Sequence, residues 1–315
     1  MENGKPPRPR RLRIALAIEE AAGLRILTAL ARRTDVEICY VLSSAGGAIE
    51  KKAKALELSF HPPHLVKEAK FASVLREANI ELFLNAHSLY LINHAVLEAA
   101  SIGSFNLHPS PLPSYAGLNA VSWAIWNEER EHGVTLHWMV PKVDAGDIAY
   151  QGRFAITPSE TALSLSGKCV REGMQLIAAL IDDALVGRAK VPQLKQSLAN
   201  RSYYKGASHP REVAIDWARP ALEIERIIRA CSYFPSTSPW GLASSILEGK
   251  PLGIIRAAAS TLQADQAPGT VRPADEMSVL VACGDTWLTL EHVFFDGAAA
   301  QAPVVLQSGM LLGIQ

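Results

Sequence analysis

The 315-residue sequence lacks several features that would assign a protein to a class at first reading. Its four cysteines stand far apart without any C-x-x-C pair, so it offers neither a disulfide framework nor a zinc ribbon and fits a reducing compartment. No run of about 18 apolar residues occurs, which excludes a typical transmembrane helix. The apolar run at 14–18 is too short for the core of a signal peptide. We therefore predict a soluble, cytoplasmic protein without a membrane partner.

An excess of charge of one sign is also lacking, because 31 Lys and Arg residues balance 31 Asp and Glu residues. The net charge thus gives no indication of nucleic acid or an anionic membrane as a partner. After the first apolar run stand Glu19 and Glu20 rather than G-x-G-x-x-G, and two carboxylates there would repel a pyrophosphate. Neither a Walker A sequence nor G-x-S-x-G is found. A classical nucleotide-binding loop is therefore not predicted.

The first half of the sequence contains a regular alternation of strand and helix patterns. Buried strands are predicted at 12–18, 36–44, 81–88 and 104–110, and helices at 23–33, 48–57, 65–78 and 94–100. This alternation predicts an α/β fold with a doubly wound, mostly parallel, Rossmann-like sheet. Ligands bind such sheets beyond the carboxyl ends of the strands.

The second half of the sequence has a different composition. An extended segment at 146–156 and a long amphipathic helix at 161–185 precede a polar, irregular stretch that we interpret as a linker. One helix at 221–231 and several short strands then predict a smaller, β-rich, barrel-like C-terminal domain. The predicted organisation is a disordered tail at 1–11, a catalytic domain at 12–190, a linker at 191–208 and the C-terminal domain at 209–315.

Three polar residues stand in a central stretch framed by proline and glycine: Asn106, His108 and Asp144. A histidine suits proton transfer near neutral pH, an Asn amide can donate to a developing oxyanion, and an Asp can orient an imidazole or a water. Together these groups suit attack on a carbonyl-type carbon. Ser110 has the only hydroxyl within two residues of His108, so we expect the nucleophile to come from the substrate. No metal site is predicted.

Structural roles for the same residues stay open at this point. On composition alone, His87, His94 and His137 are similar candidates for a catalytic histidine. The sequence Asp-Ala-Gly at 144–146 is also typical of an ordinary turn, and the prolines after His108 could simply end a strand.

Three segments taken together resemble the folate-dependent formyltransferases: F-N-L-H-P-S-P-L-P-S-Y-A-G (105–117), H-G-V-T-L-H-W-M (132–139) and D-A-G-D-I (144–148). The resemblance covers residues 12 to about 190 and extends more weakly over the rest, through A-P-G-T-V at 267–271. It implies 10-formyltetrahydrofolate as the formyl donor and catalytic roles for Asn106, His108 and Asp144. It further implies that the folate is held by His87, Ser88, Leu89, Tyr90, Leu91, Val140 and Val143. A loop beside the substrate would contain Ser110, Tyr115 and Gly117.

The formyl acceptor has to be argued separately, because the family includes methionyl-tRNA formyltransferase, glycinamide ribonucleotide formyltransferase and enzymes that formylate amino sugars. A tRNA acceptor needs a basic surface. From Lys205 onward, however, eight Lys and Arg residues stand against eleven Asp and Glu residues. Ala116 also stands where many relatives have an Arg, which removes a possible anchor for an acidic substrate group. We therefore expect a small-molecule amine: an amino-sugar nucleotide, an amino acid or an amine bound to a carrier protein, with tRNA as the alternative.

Two functions of another class also stay open. The same site could hydrolyse 10-formyltetrahydrofolate with a water held by Asp144 as the nucleophile. The chain could also be a silent folate-binding module, although a pure binder has no need for Asn106, His108 and Asp144 together.

Overall fold

A computed structural model describes residues 10–206 and 213–313. Most of the predicted N-terminal tail and the last two residues of the predicted linker lie outside these ranges. The described residues form two compact units, each assembled from separate parts of the chain. Within the described ranges, the first unit draws on residues 10–117, 133–154 and 168–203, and the second on 118–132, 155–167, 204–206 and 213–313. The contiguous boundaries inferred from the sequence stay a prediction.

A seven-stranded sheet lies at the centre of the first unit, with the strand order β3-β2-β1-β4-β5-β7-β8. The strands up to residue 204 are β1 (Leu12–Ile18), β2 (Val36–Leu42), β3 (Phe60–His61), β4 (Leu82–Ala86), β5 (Gly103–His108), β6 (Ala116–Gly117), β7 (Glu131–Trp138), β8 (Ile148–Ala155) and β9 (Tyr203–Tyr204). The pairs from β3 through β5 are parallel, whereas β5 and β7 are antiparallel. Strands β6 and β9 form a separate pair.

Helices alternate with these strands as the sequence patterns predict. They are α1 (Glu20–Leu30), α2 (Ala48–Ala55), α3 (Phe71–Glu77), α4 (His94–Leu97), α5 (Ala120–Trp126) and α6 (Ala162–Val186). The five consecutive residues from Ile14 to Ile18 of β1 are all fully buried, which is typical of a central parallel strand covered on both faces. The predicted α/β class with a mostly parallel, Rossmann-like sheet is confirmed.

One predicted helix, at 65–78, is interrupted. The structure has a 3₁₀ helix at Pro63–Lys67, an extended Glu68 and then α3. The carbonyl oxygens of Val66 and Lys67 accept hydrogen bonds from the backbone and side-chain nitrogens of Asn93, so they are not available to a continuous helix. Tertiary contacts therefore override the helical periodicity here.

Strand β7 was not predicted as a strand. Seven of its eight residues are buried, so it shows no alternation between apolar and polar positions. Three of the buried side chains, His132, Thr135 and His137, are polar and further obscure the pattern. Thr135 and His137 take part in the hydrogen bonds of the candidate active site.

The second unit contains an antiparallel sheet of six strands. They are β10 (Ala243–Leu247), β11 (Lys250–Gln263), β12 (Val271–Pro273), β13 (Val279–Ala282), β14 (Thr286–Phe295) and β15 (Ala298–Gln301). The predicted helix at 221–231 is α7 (Ala221–Cys231), and a short α8 (Ala302–Val305) follows β15. Register shifts interrupt the long β11 where it pairs with β14, as β-bulges do in bent strands. The prediction of a smaller β-rich domain is confirmed.

No helix in the described ranges is both long enough and apolar enough to span a membrane.

Candidate active site

Strand pairing brings three polar side chains side by side across the sheet. Asn106 of β5 lies opposite Asn85 of β4 on one side and His137 of β7 on the other. The side-chain amide of Asn85 donates to Oδ1 of Asn106 at 2.8 Å, and Nδ2 of Asn106 lies 3.2 Å from Nε2 of His137. The register therefore holds the Asn106 amide from both sides.

Asp144 reaches this network from a turn between β7 and β8. Its backbone adopts φ +50°, in the left-handed region that non-glycine residues seldom occupy. Gly146 follows closely in the same turn, where a Cβ atom would lie 1.8 Å from the carbonyl oxygen of Trp138. The turn thus requires glycine at 146 and a strained residue at 144, which places the Asp144 carboxylate inside the protein with only 7% of the residue exposed.

The Asp144 carboxylate faces both histidines and the amide of Asn106. Oδ2 accepts a hydrogen bond from the Gly117 N–H at 2.8 Å and lies 3.7 Å from Nδ1 of His108. Oδ1 lies 3.4 Å from Nε2 of His137 and 3.4 Å from Nδ2 of Asn106. The three residues singled out in the sequence therefore converge, and His137 joins them.

The hydrogen-bond partners define which nitrogen of each imidazole carries a proton. Nε2 of His108 lies 2.9 Å from the carbonyl oxygen of Tyr115, which can only accept, so Nε2 is the donor. Nδ1 of His108 is then the atom that gains or loses a proton, and it faces Asp144. By the same reasoning Nδ1 of His137 donates to the carbonyl oxygen of Trp138 at 2.8 Å, while its Nε2 lies between Nδ2 of Asn106 and Oδ1 of Asp144.

The surroundings of His108 and Asp144 lower the pKa of both groups. Complete burial lowers the pKa of His108, and attraction to Asp144 and the hydrogen bond to Tyr115 oppose this only in part. Burial alone would raise the pKa of Asp144, but His108, His137 and the Gly117 N–H outweigh it and hold that pKa below its ordinary value. We infer a neutral His108 imidazole beside an ionised Asp144 carboxylate at neutral pH. A neutral imidazole can act as a base.

The loop between β5 and β6 is fixed by hydrogen bonds around Ser110. The Ser110 hydroxyl donates to the Ser114 carbonyl oxygen at 2.8 Å, so it organises the loop and is not presented as a nucleophile. The Thr135 hydroxyl donates to the Ser110 carbonyl oxygen at 2.7 Å and accepts from the Leu112 N–H at 3.1 Å. Tyr115 and Gly117, the other predicted loop residues, supply the carbonyl that binds His108 and the N–H that binds Asp144.

The loop after β4 leaves large apolar side chains in solvent. Leu89 is 77% exposed and Leu91 is 69% exposed, and Val140, after β7, is also exposed. Val143 and Tyr90 are half-buried. Exposed apolar side chains grouped in this way are typical of a surface that binds a ligand.

Buried polar atoms without partners lie in the same loop region. Within the described residues, Oδ1 of Asn85 and Oγ of Ser88 have no hydrogen-bond partner, although both residues are buried. Asn85 Nδ2 also lies 3.4 Å from the Ser88 carbonyl oxygen, so the two residues are neighbours. Such atoms are costly unless a ligand or water pairs with them. His87 at the start of the loop has φ +60°, and its Nδ1 lies 3.5 Å from a carboxylate oxygen of Glu20.

Comparison with known proteins decides the family. The sequence model described as "Formyl transferase" matches residues 32–181, and the one described as "Formyl transferase, C-terminal domain" matches residues 208–308. This chain belongs to the formyltransferase family.

Solved structures share the fold of this formyltransferase at low sequence identity. The sugar 3N-formyl transferase WlaRD, solved with dTDP and 5-N-formyl-THF, is 19% identical, with a TM-score of 0.66 over 90% of this chain and 98% of that chain. An N-formyltransferase from Helicobacter canadensis, in complex with folinic acid and dTDP-3-aminofucose, is 19% identical, with a TM-score of 0.65 over 90% and 99%. HypX from Aquifex aeolicus, in complex with tetrahydrofolic acid, is 19% identical, with a TM-score of 0.65 over 95% of this chain and 48% of HypX.

Two residues of this formyltransferase site were missed or left unassigned by the sequence reasoning. His137 was noted only as one of several histidines, and Asn85 was not singled out at all. Both reach Asn106 through strand register, which a single sequence does not reveal. A usable signal was present for His137, since it occurs in the H-G-V-T-L-H-W-M segment that carries the family resemblance.

Proposed function

We propose that this formyltransferase moves the formyl group of 10-formyltetrahydrofolate to the primary amine of a small molecule. The observation that carries the proposal is the network in which His108, Asp144 and the half-buried amide of Asn106 meet at the carboxyl end of β5. A base, a carboxylate and an uncharged hydrogen-bond donor are the groups that acyl transfer to an amine needs.

The residues after β4 support the folate donor. A pteridine ring offers both hydrogen-bonding edges and flat apolar faces. The unpaired Oδ1 of Asn85 and Oγ of Ser88 fit the first requirement, and exposed Leu89, Leu91 and Val140 fit the second. His87, Tyr90 and Val143 complete the residue set that we propose for the donor. Structures with a similar fold contain 5-N-formyl-THF, folinic acid or tetrahydrofolic acid, which supports the same assignment.

The donor supplies a formyl carbon that is open to attack. In the proposed mechanism the acceptor nitrogen forms a bond to this carbon, and Nδ2 of Asn106 donates a hydrogen bond to the formyl oxygen as negative charge develops there. Nδ1 of His108 accepts the proton that the amine loses. Asp144 stabilises the imidazolium that results, because its carboxylate lies 3.7 Å away. His108 then returns the proton to the folate nitrogen as its bond to the formyl carbon breaks.

The charge of the second half of the chain favours a small acceptor over tRNA. From Lys205 onward there are three more acidic than basic residues, which is the opposite of what phosphate contacts require. The acceptors we propose are therefore an amino-sugar nucleotide, an amino acid or an amine on a carrier protein. The two sugar N-formyltransferases with a similar fold are consistent with the first of these.

The deciding experiment measures tetrahydrofolate release from 10-formyltetrahydrofolate with a panel of amino-sugar nucleotides, amino acids, carrier-bound amines and charged initiator tRNA. We expect release that depends on one small amine, and a fall of about 10²- to 10⁴-fold in His108→Ala. His94→Ala is the matched control, because His94 is an exposed histidine of the same unit that pairs only with Glu98 among the contacts described here.

Three results would count against the proposal. Release that needs no amine would indicate a hydrolase. Dependence on tRNA would indicate the alternative acceptor. Folate binding without any release would indicate a binding module.

A further inference from the structure

The segment 193–202, which the sequence led us to interpret as part of a linker, contacts both loops of the candidate active site. We call this segment the strap. All of its residues from 193 to 200 are exposed except Gln196, which is half-buried, and Arg201 and Ser202 at its end are half-buried as well. The three half-buried residues are those whose side chains form hydrogen bonds with the loops of the site. A linker without such contacts would be exposed along its whole length.

The first contact of the strap is with the turn that presents Asp144. Nε2 of Gln196 donates to the carbonyl oxygens of both Asp144 and Gly146. Nη2 of Arg201 donates to the carbonyl oxygen of Val143 at 2.7 Å. Beyond the turn, Leu194 and Ile148 exchange two backbone hydrogen bonds, at 2.8 and 2.9 Å. The carbonyl oxygens of residues 143, 144 and 146 are thereby tied to one segment.

The conformation of Asp144 explains why such support matters. A left-handed backbone at a non-glycine residue persists only where the surrounding structure enforces it. The Asp144 side chain has one backbone partner of its own, the Gly117 N–H. Gly117 precedes Asp144 in the sequence, whereas the strap follows it and holds the backbone carbonyl of Asp144 through Gln196.

The second contact of the strap is with the loop that orients His108. The hydroxyl of Ser202 accepts from the Tyr115 N–H at 2.7 Å, and its carbonyl oxygen accepts from the Ala116 N–H at 2.9 Å. Tyr115 is also left-handed, with φ +57°, and its own carbonyl oxygen binds Nε2 of His108. Ser202 thus fixes the peptide group between Tyr115 and Ala116, whose carbonyl oxygen determines the tautomer of His108.

We propose that the strap positions the two acid–base groups of the site against each other. Gln196 and Arg201 hold Asp144, while Ser202 holds the Tyr115 carbonyl that orients His108. These are positioning residues, because none of them touches the reacting atoms. The kinetic part of the proposal rests on the proposed formyl transfer, but the structural part does not.

The test compares Gln196→Ala with Lys195→Ala, an exposed neighbour whose side chain points to none of the site groups in the contacts described here. Titration of His108 is followed by NMR of the imidazole nitrogens. The charged or titratable groups that act on His108 are Asp144, His137 and His87. Of these only Asp144 is held by Gln196. Since the carboxylate raises the pKa of His108, we expect that pKa to fall in Gln196→Ala and to stay at the wild-type value in Lys195→Ala.

The kinetic readout is kcat with the acceptor found for the wild type. We expect a loss of about 10²-fold in Gln196→Ala with little change in the donor KM, because a misplaced catalytic group affects the chemical step more than binding. Ser202→Ala should lower kcat in the same way and Ser202→Thr should restore most of it, which gives a second pair if Gln196→Ala does not fold.

A His108 titration and a kcat that both stay at wild-type values in Gln196→Ala would overturn the proposal, as would an equal loss in Lys195→Ala. Failure of the proposed function is distinguishable from either result. A wild type without formyl transfer removes the kinetic readout, whereas the titration of His108 still tests whether the strap positions Asp144.

Discussion

Two neighbouring regions at the carboxyl edge of the first sheet are organised in opposite ways. The loops around Asn106, His108 and Asp144 bury His108 and Asp144, half-bury Asn106, and pair all three side chains with protein groups. The loop at 87–91 exposes Leu89 and Leu91 and leaves Ser88 Oγ unpaired among the described residues. The first region has the geometry that catalysis needs before a substrate arrives, and the second has the unsatisfied surface that a ligand would complete.

The comparison predicts that substitutions in the first region reduce kcat and that substitutions in the second raise the KM of the donor. The largest effect after loss of His108 should come from Asn106→Ala, because it removes the only amide donor directed between His137 and Asp144 in the described site. We expect kcat to fall by about 10²- to 10³-fold, as for the loss of one oxyanion donor elsewhere.

Asn85→Ala is the comparison for Asn106→Ala, because the Asn85 amide donates to Oδ1 of Asn106 from the adjacent strand, whereas its own Oδ1 belongs to the proposed donor site. Its effect on kcat should be smaller. Thermal unfolding of both variants separates the loss of a hydrogen-bond donor from the loss of the fold. A more severe loss of kcat in Asn85→Ala would show that the roles of the two amides are exchanged.

The substitution Asp144→Asn tests the first region through the pH dependence of kcat. The substitution keeps an oxygen to accept from the Gly117 N–H but removes the charge. The carboxylate raises the pKa of His108 against the effect of burial, so its loss should lower that pKa further. In the proposed mechanism His108 acts as the neutral base, so activity should fall as pH drops through its pKa. We expect the acidic limb of the kcat profile to move to lower pH and kcat to fall by about 10²-fold, because His108 becomes a weaker base.

Asp147→Asn is the control for the pH experiment. Asp147 lies three residues further along, and its carboxylate accepts from Gln193 rather than facing His108. Its profile should overlay that of the wild type. An unmoved acidic limb in Asp144→Asn would mean that the carboxylate does not act on His108.

The smallest effect is expected in the second region. Leu89→Ser should leave unfolding unchanged to within about 0.5 kcal/mol, because an exposed side chain contributes little to stability. The KM of the donor should rise about tenfold if the ligand buries most of that side chain. Leu222→Ser is a matched control, since Leu222 is 70% exposed on α7 of the second unit. Equal KM values for the two variants would remove Leu89 from the donor site.

The sequence predicted the fold class because strands and helices alternate with clear periodicity. It singled out Asn106, His108 and Asp144 because they stand in one recognisable stretch; the three side chains converge in the structure, and their catalytic roles stay a prediction. It did not predict β7, whose burial on both faces removes the alternating pattern. It did not assign Asn85 or His137, since only the register of β4, β5 and β7 brings them to Asn106.

The strap shows the limit of composition most clearly. Its polar, irregular residues are typical of a linker, and seven of the eight residues from 193 to 200 are indeed exposed. What the composition does not reveal is that Gln196, Arg201 and Ser202 form hydrogen bonds with two distant loops. Side-chain to backbone bonds of this kind depend on tertiary placement and leave no periodic signal in the sequence.

The proposed mechanism requires that His108 is a neutral base whose Nδ1 faces an ionised Asp144. The most direct measurement is ¹⁵N NMR of the imidazole nitrogens of the full chain at neutral pH, with the His108 signals assigned by their absence in His108→Gln. We expect a neutral ring with the proton on Nε2 and an unprotonated Nδ1, and Asp144→Asn should lower the pH at which Nδ1 takes up a proton. A ring that is protonated at neutral pH, or one with its single proton on Nδ1, would contradict the assignment of His108 as the base.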